Sequence, residues 1–121
     1  MSLTTNIRQA GRVTIVDFKG RIVLGEESAA LRELVRELIS KGHKQILFNL
    51  AEVAYIDSSG LGSLVGAFTS VRKQQGELKL LNLTGKVHDV MQITKLYTVF
   101  EIMNDEATGV KSFSQSEAAT A

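Results

Sequence analysis

The stretch QILFNLAEVAYIDSSGLGSLVGAF, residues 45–68, sets the fold. Its first six residues form a short, nearly continuous apolar run, the pattern of a central strand covered on both faces. From Asp57 onward the pattern changes. Two serines follow the aspartate, and Gly60, Gly62 and Gly66 fall within seven residues. Leu61, Leu64, Val65, Phe68 and Val71 then recur at helical spacing. Either Asp57 or Ser58 can cap this helix by accepting from backbone N–H groups two or three residues on. A strand that runs through a capping residue and small side chains into a helix is one unit of an α/β fold.

The helix is expected to reach about Gln75 and to end at Gly76. Its solvent side is unusual. Successive side chains rotate by about 100°, which turns Ser59, Ser63, Gly66 and Ser70 outward and sets Ser58 and Gly62 at one edge of the exposed arc. The arc stays nearly bare until Arg72 and Lys73. Each interior glycine costs a helix about 0.8–1.0 kcal/mol relative to Ala. Either Asp57 and Ser58 simply cap while the glycines pack on a neighbouring loop, or the small residues form a docking face with a serine at its edge as a switch.

Outward from this unit, residues 6–10 and 13–18 flank AGR and read as a hairpin rich in β-branched residues. KGRIVLG leads into a helix over residues 26–41. Leu31, Leu34, Val35, Leu38 and Ile39 form its buried stripe, and Arg32, Glu33, Arg36, Glu37 and Lys41 an ordinary charged outer face. LKLLNL (residues 78–83) is a second buried strand. Residues 84–93 form a helix with Val87, Val90 and Met91 inward, and TVFEI (98–102) a further strand. Asp105 caps a last helix carrying Ala107, Val110 and Phe113. The polar residues 114–121 are expected to be a disordered tail. Helical crossovers between short buried strands imply parallel pairing with right-handed connections, and the hairpin makes the sheet mixed. Five strands and four helices in a single domain result.

Composition narrows the function. The 121 residues carry 14 basic and 13 acidic side chains, for a net charge of +1, so no nucleic-acid footprint is visible. There is no cysteine, which removes disulfides and thiolate chemistry. His43 and His88 are too few for most metal sites and sit beside helix ends, where solvated histidines are common. No signal-peptide core is present, and no apolar run approaches the ~20 residues of a membrane span. A cytoplasmic protein without a membrane partner is expected. A phosphate cradle at SSGLG lacks the P-loop lysine. A serine hydrolase lacks the glycine two positions before Ser58 or Ser59. No catalytic residue, metal or cofactor is assigned.

The segments NLAEVAYIDSSGLGSLVGAF, GRIVLGEESAALRELVREL and GELKLLNLTGKVHDVMQITKLYTVFEI together resemble the STAS domain, in the form carried by bacterial anti-sigma factor antagonists. The resemblance covers roughly residues 7–113, with the domain assigned to 1–113. It implies a mixed sheet with helices mainly on one side, and a regulator that works by partner switching. The unphosphorylated form would bind an anti-sigma factor with serine kinase activity and release a sigma factor. Phosphorylation of Ser58, the serine after the motif aspartate, would end the complex, and a serine phosphatase would reverse it. Asp57, Ser58, Ser59, Gly60, Gly62, Ser63 and Gly66 are the expected partner-binding residues, on a protein that is monomeric when free. One departure is Gly20-Arg21-Ile22-Val23, where Val23 holds a position that is often acidic in the family. The alternative within the same fold is a nucleotide-sensing or transporter-associated accessory subunit.

Overall fold

The hairpin, the crossovers and the last helix all appear in the computed structural model, which describes residues 3–23 and 25–120, without the side chains of residues 26, 27 and 114–120. Strands β1 (Leu3–Ala10) and β2 (Val13–Ile22) pair antiparallel around the turn at Gly11 and Arg12. Helix α1 (Glu26–Ser40) leads to β3 (Gln45–Ile56), and α2 (Ser58–Lys73) to β4 (Glu77–Leu81). Helix α3 (Gly85–Thr94), a 3-10 turn (Leu96–Thr98), β5 (Ile102–Met103) and α4 (Glu106–Thr120) complete the chain. The sheet order is β1-β2-β3-β4-β5, with every pair after the hairpin parallel. This is the mixed five-stranded α/β sheet expected from the sequence.

Three helices cover one face. Leu31, Val35 and Leu38 of α1, Leu61, Leu64 and Val71 of α2, and Val87 and Met91 of α3 pack on Val16, Phe18, Ile46, Phe48 and Leu50 of the strands. Phe18 and Phe48 meet edge to face at 4.8 Å. Helix α4 alone covers part of the other face, setting Phe113 and Val110 on Val13, Ile15, Leu47 and Leu81. Leu47 and Phe48 therefore serve opposite cores from adjacent positions of β3, as the apolar run requires.

Beyond α4 that second face is polar. Arg8 Nε and Nη2 donate to the Asp17 carboxylate at 2.6 and 2.9 Å, and its Nη1 and Nη2 donate to Glu106 at 3.1 and 2.9 Å. Asn49 Nδ2 also donates to Asp17. This clasp ties the first turn of α4 to the hairpin. It also holds the Asp17 carboxyl below its ordinary 3.8, chiefly through the Arg8 hydrogen bonds.

Several boundaries differ from the sequence reading. Strands β2 and β3 run on to Ile22 and Ile56, because Lys19, Gly20, Arg21 and Ile22 continue to pair with Glu52, Val53, Tyr55 and Ile56. Two register shifts interrupt that pairing, so β3 buries Leu50, Val53 and Ile56 at intervals of three and loses the alternation that marks a strand. Helix α2 stops at Lys73. Gln75, not Gly76, takes the left-handed conformation at φ 63°. Gly76 is needed for room: a β carbon there would lie 2.5 Å from the Lys44 carbonyl oxygen.

The expected strand at 98–102 shrinks to Ile102–Met103. Lys95, at φ 63°, ends α3 and turns the chain into the 3-10 segment. The apolar run serves mainly to deliver Phe100, buried against Phe68 with ring centres 5.3 Å apart. Asp105 caps α4 as expected, accepting from Thr108 N at 2.9 Å. The tail expected to be disordered at residues 114–121 is instead entered by α4, whose backbone runs on to Thr120; residue 121 lies outside the described residues, and no side chain beyond Phe113 is described.

Candidate functional site at the start of α2

Strand β3 delivers the chain to Asp57 at the end of the parallel pair β2–β3, where the Asp57 N–H donates to the Ile22 carbonyl at 3.3 Å. Asp57, not Ser58, is the N-cap. Its backbone is extended, and its Oδ1 accepts the Gly60 N–H at 2.8 Å, satisfying one of the donors that a helix start leaves open. Ser58, the first helical residue, is released from capping and is exposed, whereas Ser59 is half-buried. This reverses the helical-wheel order, which turned Ser59 out and put Ser58 at the edge.

The three glycines divide by function. Gly60 is buried, and a β carbon on it would stand inside the Ile22 carbonyl group. It is a packing residue that seats α2 on the end of β2, and it is not available to a partner. Gly62 and Gly66 are exposed, and a β carbon on either would meet nothing within 4 Å. Their smallness answers no internal need.

Ser63 corrects the sequence reading most. It was expected to point outward, yet it is buried at 3% exposure, and its Oγ accepts from Arg32 Nη1 at 3.1 Å. The buried side of α2 is centred on Gly60, Leu64, Ala67 and Val71 because α1 packs along its flank as well as the sheet beneath. Val65 and Phe68 are correspondingly only half-buried. Arg32 was therefore missed as part of this region. No local sequence signal marks it, because Arg32 reads as one more charge on the outer face of α1 and only the packing of α1 against α2 brings it to Ser63.

His43 is also more than a solvated helix-end residue. Its Nδ1 lies 2.7 Å from the buried Thr14 hydroxyl, which in turn donates to Gln9 Oε1. No group of three or more His, Cys, Asp or Glu side chains is placed to hold a metal among the described residues. Nor is any helix there long and apolar enough to cross a membrane.

Residues 4–109 match the family model of the STAS domain. The chain belongs to the STAS domain family. Among curated relatives, the anti-sigma-B factor antagonist of Listeria monocytogenes is 39% identical over 88 residues, covering 69% of this chain and 77% of its own. That of Bacillus subtilis is 32% identical over 111 residues, covering 92% of this chain and 100% of its own. The unphosphorylated anti-sigma factor antagonist SpoIIAA superposes on this STAS domain with a TM-score of 0.77 at 20% identity, over 93% of this chain and 97% of its own. The phosphorylated form of SpoIIAA does so with a TM-score of 0.71 at 19% identity, over 91% and 99%.

Proposed function

We propose that this STAS domain is an anti-sigma factor antagonist: unphosphorylated, it binds an anti-sigma factor that is also a serine kinase, and phosphorylation of Ser58 releases it. The observation that carries the reading is the pair formed by Asp57 and Ser58. Asp57 takes over the cap, which leaves an exposed serine at the very start of a helix whose outer face holds the open glycines 62 and 66. The relatives named as anti-sigma-B factor antagonists support the partner class. Asp57, Ser58, Ser59, Gly62 and Gly66 make up the proposed contact surface, with Gly60 and Ser63 supporting it from below.

The switch works locally. A phosphate adds about −1.5 to −2 charges and three acceptor oxygens, at a helix N-terminus where an anion is tolerated or mildly favoured. The free domain has no reason to rearrange. In the complex the same charge is desolvated and mispaired, and each 1.4 kcal/mol lost weakens binding about tenfold. A serine phosphatase would restore the binding form.

The test is to incubate the purified protein with the anti-sigma factor of its own organism and ATP, then measure binding calorimetrically and map the phosphopeptide. Label on Ser58 and loss of binding support the reading. Absence of any complex with the unphosphorylated protein overturns it.

A further inference from the structure

Next to the open face of α2 lies a groove between α1 and α2, with a volume of about 220 Å³. Val35 and Ile39 give it an apolar side, Gly66 and Ser70 a low wall, and Arg32 and Arg36 a basic rim. We propose that this groove is the anchoring socket for the anti-sigma factor, and that it takes an acidic, amphipathic segment: an apolar side chain in the groove with carboxylates on the two arginines. The inference rests on the function proposed above and names the chemistry of the partner's contact.

Charge carries the choice of occupant. No acidic side chain occurs between Asp57 and Glu77, while α2 ends in Arg72 and Lys73. The charge at the groove itself comes from Arg32 and Arg36 of α1, with no acidic side chain in its lining, whereas Arg72 stands over Phe68 on the other flank of α2, near Glu77 and Glu101. Arg32 is held in place by the buried Ser63 hydroxyl, which uses one of its several N–H donors and leaves the fork suited to a carboxylate. Arg36 pairs with Glu33 at 2.9 Å, but both side chains are more than 70% exposed. Such a pair is worth little and exchanges readily for a partner's carboxylate.

The sign of the switch follows from the same arrangement. Gly66 is eight residues from Ser58, about 12 Å along the helix, so both fall within the footprint of one ordinary interface. An acidic partner drawn to this basic face is repelled by a dianion placed on it.

The experiment titrates the purified anti-sigma factor of the same organism against the wild type, Arg36→Glu, Arg36→Lys and Ser70→Glu, at low and high salt. Arg36 and Ser70 are exposed, so thermal midpoints should stay level in all three variants. Arg36→Glu and Ser70→Glu should each weaken binding about tenfold or more, Arg36→Lys by much less, and wild-type affinity should fall as salt rises. If both glutamate variants bind like wild type while Ser58→Asp still abolishes binding, the groove is not the socket, although the antagonist reading stands. If the wild type fails to bind at all, both readings are overturned.

Discussion

The Ile22 carbonyl occupies the space that a side chain on Gly60 would need, and the same oxygen accepts the Asp57 N–H. The end of β2 thus fixes both the cap and the first turn of α2. Gly60→Ala should be destabilising by about 1–3 kcal/mol, since backbone must move to admit the methyl group. Gly62→Ala should instead stabilise by up to about 1 kcal/mol. Denaturant unfolding of the two variants against wild type checks the contrast, and equal behaviour would remove the division between packing and open glycines.

Gly66→Gln separates stability from binding. The position opens on solvent, so the thermal midpoint should stay level or rise, because Gln is the better helix residue. Affinity for the anti-sigma factor should fall, because the new side chain stands in the path of docking. A sharp drop in stability would show that Gly66 packs.

Ser58 should be the phosphoacceptor. It is exposed where Ser59 is half-buried. Ser58→Ala should lose the label and bind persistently, and Ser58→Asp should bind much more weakly with an amide spectrum close to wild type away from the α2 N-terminus. Label that persists on Ser59 in Ser58→Ala would reject the assignment.

Acid should loosen the clasp at Asp17. Its carboxyl is held below 3.8 in the folded protein, mainly by hydrogen bonds from Arg8, with Asn49 helping and burial opposing. The unfolded chain therefore binds this proton first as pH falls. The contribution to stability is whole above 3.8 and is lost as pH drops through the lower folded value. Asp17→Asn should cost roughly 1 kcal/mol or less near neutrality, the pair being partly solvated. Its unfolding midpoint should also decline less between about pH 4 and pH 2.

The unit at residues 45–68 was legible because strand, cap and helix each follow from local chemistry. Where two elements share one residue, local reading failed. Ser63 looks like surface on a helical wheel, and only the packing of α1 against α2 buries it beneath Arg32. Gly60 reads like its neighbours Gly62 and Gly66, and only the approach of β2 tells them apart. The end of β3 was hidden by register shifts against β2 that replace alternation with intervals of three. Phe100 sits in a run that resembles a strand, although its burial is against Phe68 from an irregular segment.

Every strand after β1 hydrogen-bonds to the strand that precedes it in the chain. The order of the sheet is thus the order of synthesis, and no strand waits for a later one to fill a gap beside it. The helices are less local than the strands: α2 packs on β4, which follows it in the chain, as well as on β2 and β3, which precede it. Domains of this size generally fold as units. The Arg8–Glu106 contact is the counterpart: it joins the first strand to the last helix, 98 positions apart, so it can form only once the whole domain has been made.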